Sequence, residues 1–477
     1  MGRRRLGLPL LAGAAVAAAA LRDGARRQRL QRTARVWRLT ARRGAHWAVV
    51  KARGARATEE ERARLEQRFV IRSAEDVARE LGNMKGAIMK AGQMISFIAE
   101  GLPPEARAAL ATLQADVPPM APSLAEQVVR EELGDDPERL FLDWDPVPVA
   151  AASIGQVHRA VLRDGREVAV KVQYPGVDRA IRSDLDNAEL LYGMFSALAM
   201  KNLDVKGLVD ELRARMVDEL DYLHEARCQT EIGAIYAGHP FIRIPAVVPE
   251  RSARRVLTTE WVDGMRWEDF LERASRETIE RTAEVLFRFA QGSIHGNGVF
   301  NGDPHPGNYR FHRDGTVTFL DFGLVKRWSV GELEQLTPVL DALLVHDEQG
   351  TADALVAAGF LQPDHPHDPA DVWAYVSGPY VPFLDDEFTF TRQWTGEALG
   401  KLIDINGPYG AIIQSLSMPT SFVILDRVVW GMSALLGRIG ASNRWRAIFA
   451  EYREGAPPAT ELGELEAAWR EDRRASL

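Results

Sequence analysis

Three polar side chains stand at fixed intervals in the second half of the chain. Asp303 is followed five residues later by Asn308, and Asp321 lies thirteen residues beyond that. Carboxylate and amide oxygens are hard ligands, and such ligands suit a magnesium ion that is bound largely through the phosphates of a substrate. The spacing therefore points to phosphate chemistry assisted by Mg²⁺.

The same three residues have the order and spacing of the catalytic segment of protein-kinase-like folds, in which Asp321 opens an Asp-Phe-Gly sequence. In that arrangement Asp303 orients or deprotonates the phosphoryl acceptor, while Asn308 and Asp321 hold Mg²⁺. His305 lies between two prolines, and we expect it to be structural because no second histidine has suitable spacing. The expected nucleotide is ATP or ADP.

A lysine further upstream is placed to reach this nucleotide. Val168, Val170 and Val172 alternate onto one face of a predicted strand. Arg163-Asp164-Gly165 supplies the hairpin turn before that strand. Lys171 therefore lies on the third strand of a small predicted sheet, where its ammonium can reach the α and β phosphates.

The segment before this strand pair has alanines where kinases carry a glycine-rich phosphate loop. Its residues are Ala150, Ala151, Ala152 and Ser153. Each methyl group disfavours the positive φ that lets backbone amides wrap a phosphate. We therefore expect a nucleotide that is held differently from that of typical kinases, with weakened phosphoryl transfer.

Two further segments complete the predicted nucleotide site. A strand runs into a hinge, where backbone groups from Glu260 to Val262 would bind the adenine edge. Glu225 lies on a predicted amphipathic helix together with Glu219 and Asp221. A kinase pairs its strand lysine with a helix carboxylate, and Glu225 is the candidate for that role. By pattern alone, the three acids could equally be ordinary surface residues.

A segment far upstream carries a family resemblance. By pattern alone Lys90 and Gln93 form the solvated edge of a predicted helix. However, Lys90-Ala91-Gly92-Gln93 is similar to the KxGQ motif of the UbiB/ADCK family of atypical kinases. The alanine-rich loop, Val-Ala-Val-Lys, an ExD helix, DPHPGN and DFG follow in that family's order. The chain departs from the family pattern at Ala115, where Asp is usual, and at Asn301, where His is common.

The resemblance implies roles that the residue pattern leaves open. It implies that an N-terminal extension folds over the kinase cleft, so that Lys90 and Gln93 lie at the nucleotide site. It also implies that Glu219 and Asp221, as the ExD acids, partner Lys90. Finally, it implies ATPase activity in isoprenoid quinone biosynthesis or membrane lipid homeostasis. The implied ligands and partners are ATP or ADP, Mg²⁺, an isoprenoid or quinone-like lipid, and enzymes of quinone or lipid biosynthesis.

The predicted fold class is α+β, a protein-kinase-like two-lobed fold with a helical N-terminal extension that covers the cleft. The predicted divisions are a basic, membrane-associated arm (1–58), the helical KxGQ extension (59–125), a kinase-like N-lobe (126–259), a kinase-like helical C-lobe (260–452) and a charged tail (453–477). The tail is expected to be a loose, partly helical surface element, and the C-lobe tryptophans are expected to lie in the core.

Charge is distributed unevenly along the chain. Residues 1–58 carry a net charge of +14, so the remainder carries −22 within a total of −8. A basic arm suits an anionic membrane surface, and we expect no nucleic-acid partner. Residues 6–21 are uncharged but short for a spanning helix. They fit a membrane-surface or weakly spanning anchor, a soluble helical leader or a cleaved signal peptide.

The single cysteine, Cys228, fits a reducing compartment and is expected to be a small buried residue. Together with the basic arm, it predicts a cytoplasmic protein that is peripheral on, or weakly anchored to, the inner face of a membrane.

Three functions are consistent with these motifs. The first is an atypical kinase-fold, magnesium-dependent ATPase or phosphotransferase that acts at a membrane in quinone or lipid metabolism, and the intact catalytic residues favour it. The second is a nucleotide-switched pseudokinase scaffold, which the alanine-rich loop favours. The third is a kinase of a protein or small molecule, which is disfavoured because no Ala-Pro-Glu follows Asp-Phe-Gly to hold a peptide.

Overall fold

The computed structural model of the protein describes residues 120–152, 154–178, 218–403, 407–417 and 420–476. The basic arm and the KxGQ extension up to residue 119 lie outside the described residues. So do Ser153 of the alanine-rich loop, the two KxGQ residues Lys90 and Gln93, and Ala115. The predictions made for these segments therefore stay predictions.

The strands of the described residues are short. In chain order they are β1 (Asp143–Trp144), β2 (Ala150–Ala151), β3 (Gly155–Val161), β4 (Glu167–Gln173), β5 (Ile242–Arg243), β6 (Val256–Glu260), β7 (Val299–Asn301), β8 (Tyr309–Phe311), β9 (Val317–Phe319), β10 (Val325–Arg327), β11 (Phe388–Thr389) and β12 (Ser442–Asn443).

Helices dominate the second half of the chain. In chain order the described α-helices are α1 (Pro122–Leu133), α2 (Pro137–Leu140), α3 (Tyr222–Ile235), α4 (Trp267–Arg273), α5 (Arg276–Gln291), α6 (Glu332–Leu344), α7 (Glu348–Ala357), α8 (Pro369–Val376), α9 (Arg392–Ile403), α10 (Gly410–Ser415), α11 (Thr420–Ile439), α12 (Trp445–Arg453) and α13 (Glu461–Ser476). The described residues also form 3₁₀ helices at Pro249–Arg251, Pro306–Asn308 and Gly378–Phe383, and a π-helical turn at Gly292–Asn297.

The N-terminal lobe is an antiparallel sheet. Its strand order is β1-β3-β4-β6, and β2 pairs with β3. Because side chains alternate across a strand, β4 sends Val168, Val170 and Val172 into one core cluster that also contains residues of α1. Gly155 has no side chain for a steric reason, since a Cβ there would lie 2.2 Å from the carbonyl oxygen of Val172.

The C-terminal lobe is organised around α5. This helix begins with Ser275, whose side chain accepts the Thr278 N–H, and nearly all residues of its second half are buried. The larger core cluster joins α5 to α11, α12 and the small sheet of β5, β9 and β8. An antiparallel sheet followed by a mainly helical lobe confirms the predicted α+β, two-lobed fold.

The charged tail is partly helical, as predicted, but the prediction that it is loose is wrong. Residues 461–476 form α13, on which Leu462 and Glu466 are buried. Glu466 accepts hydrogen bonds from Arg288 of α5 at 3.3 Å and from Tyr452 of α12. Arg288 is itself fully buried, and a buried guanidinium needs carboxylates around it. The charges of this segment therefore dock the helix, although in the sequence they indicated a solvated surface.

The aromatic residues of the C-terminal lobe follow the prediction in part. Trp430 and Trp445 are buried in the core, whereas Trp373, Tyr375 and Trp394 are half-buried. Cys228 is buried and forms no disulfide, as expected. Within the described residues, no helix is both long enough and apolar enough to cross a bilayer.

Candidate functional site

Lys171 stands at the centre of an ion-pair network. It lies on β4, opposite Val157 of β3 and Leu257 of β6. Its valine neighbours face the core, so the alternation of the strand turns Lys171 to the other face. Its ammonium donates to both carboxylate oxygens of Glu225, at 2.9 and 3.0 Å, and to Oδ2 of Asp321 at 3.3 Å. The expected pairing of a strand lysine with a helix carboxylate is present.

The surroundings of Lys171 keep it charged. Burial opposes its ionisation, but the charges of Asp321 and Glu225 outweigh burial and hold the pKa of Lys171 well above its usual value. Burial also raises the pKa of Glu225, to about 7, while the charge of Lys171 opposes that rise. The result is a cation held in one place, which could exchange part of its pairing for phosphate oxygens.

Helix α3 begins later than the sequence pattern predicts. The predicted helix runs through Glu219 and Asp221 to Glu225, whereas α3 begins at Tyr222. Asp221 is the N-cap, and its side chain accepts a backbone N–H of the first turn at 3.1 Å. Glu219 lies in the turn before this cap. One continuous helix through these acids is therefore wrong, while their partnership with Lys90 stays a prediction.

Asp321 is oriented by its own Asp-Phe-Gly segment. Its Oδ1 accepts the N–H of Gly323 at 3.0 Å while its Oδ2 faces Lys171. Asn301 donates from Nδ2 to the main-chain carbonyl of Asp321 at 2.7 Å, and its Oδ1 accepts the N–H of Asp303 at 2.9 Å. Asn301, which departs from the family pattern, thus ties the two acid-bearing segments together. Sequence reasoning did not predict this connecting role of its side chain.

Asp303 and Asn308 contact each other directly. Asn308 donates from Nδ2 to Oδ2 of Asp303 at 3.1 Å. No donor among the described residues reaches Oδ1 of Asn308. That oxygen and the carboxylate of Asp321 are hard oxygen ligands, so their chemistry fits Mg²⁺. His305 accepts the N–H of Gly307 at Nδ1, at 3.1 Å, which is consistent with the structural role expected for it.

Arg427 is a second residue to which sequence reasoning assigned no role at this site. It lies on α11 and donates from Nη2 to Oδ1 of Asp303 at 2.5 Å, with both side chains mostly buried. Gly431, one turn further along the same face of α11, allows this approach, because a Cβ there would lie 2.5 Å from Cγ of Pro304. Arg427 and Trp430-Gly431 resemble a C-terminal helix motif of the UbiB/ADCK family, but their position in the sequence does not show which residue Arg427 contacts.

The hinge and the Lys171 network line the same cavity of about 390 Å³. Glu260 ends β6, and the next residue, Trp261, donates its N–H to the Glu167 carbonyl at 3.0 Å. Within the described residues, the N–H of Val262 makes no hydrogen bond. It is therefore the hinge donor that an adenine edge could use.

The alanine-rich loop forms a tight hairpin. Ala150 pairs with Val157 and Ala151 pairs with Gln156 across β2 and β3. The Ala152 N–H donates to the Gly155 carbonyl at 2.9 Å. This amide is consequently engaged within the turn, unlike the amides of an open glycine loop that point at phosphate.

These features define a protein-kinase-like fold with two lobes. They are a strand lysine paired with a helix glutamate, the acid of an Asp-Phe-Gly segment, and an Asp and an Asn in the catalytic loop. The chain belongs to the ABC1 atypical kinase-like family, whose domain model matches residues 112–355. The resemblance to the UbiB/ADCK family is thereby confirmed.

Individual relatives agree with this assignment. An uncharacterised aarF domain-containing protein kinase of Arabidopsis thaliana, described as chloroplastic, is 31% identical over 311 residues, which are 65% of this chain and 44% of the relative. The mitochondrial atypical kinase COQ8 of Saccharomyces cerevisiae is 29% identical over 385 residues, which are 79% of this chain and 75% of the relative. The chain spans about half the length of most of the curated relatives it matches.

A solved structure shares the fold. Rv3197 of Mycobacterium tuberculosis, solved in complex with erythromycin, aligns with a TM-score of 0.59 and 31% identity. The alignment covers 78% of this chain and 93% of that protein.

Proposed function

We propose that the chain is a magnesium-dependent ATPase or phosphotransferase of the atypical kinase type that acts at a membrane in isoprenoid quinone or lipid metabolism. The observation that carries the proposal is the meeting of Lys171, Glu225 and Asp321 beside a cavity whose lining also includes the hinge. A nucleotide in this cavity would place its adenine edge at Val262 and its phosphates at Lys171.

Each remaining residue has a proposed task in this site. Asn308 and Asp321 hold Mg²⁺, which when bound neutralises charge on the phosphate oxygens. Asp303 orients or deprotonates the acceptor, which is water in the ATPase reaction. Ala150 and Ala151 border the cleft on the side of the hairpin, where the engaged loop amides would leave the phosphates less tightly wrapped.

The membrane and pathway parts of the proposal rest on the chain's charge and on its similarities. Residues 1–58, with their net charge of +14, would hold the protein reversibly on the anionic inner face of a membrane, facing the cytoplasm. The resemblance to the UbiB/ADCK family and the similarity to COQ8 support a role beside enzymes of quinone or lipid metabolism. The proposed ligand at the membrane is an isoprenoid or quinone-like lipid.

One observation favours a second candidate function, the nucleotide-switched scaffold. The carboxylate of Asp303 is held by Arg427 and Asn308. These contacts occupy part of the hydrogen-bonding capacity of the carboxylate and leave less of it for an acceptor. If no acceptor binds there, nucleotide binding would change the shape of the protein without turnover.

The experiment that separates the two measures phosphate release from ATP by the purified full chain, with neutral or anionic liposomes. The proposed enzyme releases phosphate in a magnesium-dependent way, more rapidly with anionic liposomes, and the matched variant Asp303→Asn does not. Magnesium-dependent nucleotide binding without any phosphate release would contradict the enzyme proposal and support the scaffold proposal. Absence of magnesium–nucleotide binding would contradict both.

A further inference from the structure

Two arginines line the proposed nucleotide cavity together with Lys171. Arg266 precedes α4 and Arg310 lies on β8. Both line the nucleotide cavity, and both also line a second cavity of about 660 Å³. The second cavity extends between the alanine hairpin and the catalytic loop at His305–Gly307. The arginines therefore face a space that reaches to within two residues of Asp303.

These two guanidinium groups have no carboxylate partner in the described part of the chain. Arg266 donates to the Val149 carbonyl at 3.1 Å, and Arg310 donates to the Tyr309 carbonyl at 2.9 Å. Neither forms an ion pair within that part. Both contacts engage main-chain oxygens, so no carboxylate of the described residues is paired with either positive charge.

Several other arginines of the described residues are paired with carboxylates. Arg288 contacts three glutamates, Arg427 contacts Asp303, and Arg255 contacts Glu131 and Glu132. Arg438, which also lines the second cavity, lies 3.3 Å from Glu268. Arg266, which is exposed, and Arg310, which is half-buried, contact main-chain carbonyls instead.

The arrangement has an electrostatic cost that a ligand could remove. Arg310 is half-buried, and its burial, followed by the charge of Arg266, lowers the pKa of its guanidinium. Arg266 is exposed, but its like charge still disfavours the charged form of the half-buried Arg310. An anion between them would gain charge-assisted hydrogen bonds and cancel that repulsion.

We propose that Arg266 and Arg310 form a subsite for a phosphate group carried by the phosphoryl acceptor. Arginine matches phosphate geometry with two parallel hydrogen bonds, and two guanidiniums balance the charge of one phosphomonoester. The nucleotide's own phosphates are expected at Lys171, which lines the first cavity and not the second. The assignment to the acceptor rests on the proposed function, whereas the anion subsite itself does not.

The same phosphate chemistry occurs in soluble phosphate esters and in lipid headgroups. The test therefore uses two probes with the full chain: sn-glycerol 3-phosphate, and phosphatidylcholine vesicles with or without phosphatidic acid. Binding is measured by calorimetry for the first probe and by co-sedimentation for the second, each with and without saturating Mg–ADP. Variants are Arg266→Gln, Arg310→Gln and Arg310→Lys. Arg139→Gln, at an exposed ion pair on α2, is the matched control.

We expect each Gln variant to weaken binding of at least one probe by tenfold or more. Arg310→Lys should keep part of the affinity because it keeps the charge, and the control should not change. A variant-sensitive response to the ester alone identifies a soluble acceptor, and a response to the vesicles alone identifies a lipid. If no variant changes either affinity, the subsite does not exist. If Mg–ADP displaces both probes, the subsite belongs to the nucleotide and the acceptor assignment is wrong.

A stability measurement guards against misfolded variants. Arg266→Glu places a carboxylate beside Arg310, so its melting temperature without phosphate should equal or exceed that of the wild type. The shift that glycerol 3-phosphate produces in the wild type should disappear. A retained shift would overturn the subsite. Arginine-dependent phosphate binding in a protein that fails to bind Mg–ADP would overturn the proposed function and leave the subsite standing.

Discussion

Replacing Lys171 with methionine should destabilise the protein through the carboxylate that it leaves behind. The side chain of Glu225 is 6% exposed and that of Lys171 is 17% exposed. Removing one member of a buried ion pair costs about 3–5 kcal/mol of stability. The side chain of Asp321 is 32% exposed, so water compensates it in part. For Lys171→Met we therefore expect the free energy of unfolding to fall by about 2–4 kcal/mol at pH 8.

The loss should depend on pH in a defined direction. In the wild type, burial raises the pKa of Glu225 to about 7 while Lys171 lowers it, and Asp321 adds to the rise. Without Lys171, burial and the charge of Asp321 still act on Glu225. The folded-state pKa of Glu225 therefore moves further above its ordinary value. A carboxyl with a raised folded-state pKa favours folding at low pH, and this contribution disappears as pH rises through that pKa. The deficit of the variant should therefore be smaller at pH 6 than at pH 8.

Urea unfolding at pH 6 and pH 8 measures both effects. Lys171→Arg retains the charge and should lose less stability, while Lys401→Met, at an exposed position of α9, controls for the removal of a lysine. Calorimetry with Mg–ADP should show affinity reduced at least tenfold for Lys171→Met. An equal stability loss at the two pH values would refute the role given to Glu225. Unchanged stability would refute the ion-pair reasoning as a whole.

Three other substitutions test separate parts of the structure. Arg427→Ala should lower phosphate release at least tenfold, because Asp303 loses its charged partner. Calorimetry should show an Mg–ADP affinity within about threefold of that of the wild type. Faster phosphate release would mean that Arg427 restrains Asp303. Glu466→Gln should lower the free energy of unfolding by about 2–4 kcal/mol in urea at pH 7, because Arg288 loses one buried carboxylate. Burial opposes ionisation of Glu466, but His239, Arg470 and Tyr452 hold its pKa below the usual value, so this loss should shrink as the pH falls through that lowered pKa. Gly155→Ala should cost about 1–3 kcal/mol in a thermal melt, because its Cβ collides with the backbone of β4.

Each of the three has an outcome that would contradict it. An unaltered rate for Arg427→Ala would mean that the contact with Asp303 has no part in turnover. A Glu466→Gln protein with wild-type stability would contradict the docking of α13 through Arg288. A wild-type melting temperature for Gly155→Ala would show that β3 and β4 can separate at no cost.

The sequence was sufficient where a role depends on residues close together along the chain. The valine alternation around Lys171 placed it on a strand facing away from the core, and the structure has it there. The short spacing from Asp303 to Asn308 likewise assigned both residues to one site, where Nδ2 of Asn308 lies 3.1 Å from Oδ2 of Asp303. Strand period and turn length are local properties, so they can be read directly from neighbouring residues.

Local patterns failed where a side chain had two local uses or a distant partner. Asp221 fits a helix interior by periodicity, yet it caps α3 because its side chain competes for a backbone N–H. The tail of residues 453–477 has the composition of a solvated segment, yet α13 packs against Arg288, more than 170 residues earlier. A charged residue reads as exposed in the sequence unless its buried partner is known.

The sequence by itself determined the kind of chemistry: a lysine, two aspartates and an asparagine, in an order typical of kinase-like folds. Only the tertiary structure decided which side chains contact these residues. Arg427 reaches Asp303 across 124 residues, and Arg266 and Arg310 line one cavity without an ion-pair partner among the described residues. The reason is physical, because an ion pair depends on a separation of a few ångströms and on exclusion of water. Both are set by how the helices and strands pack, and neither is encoded in the spacing of residues along the chain.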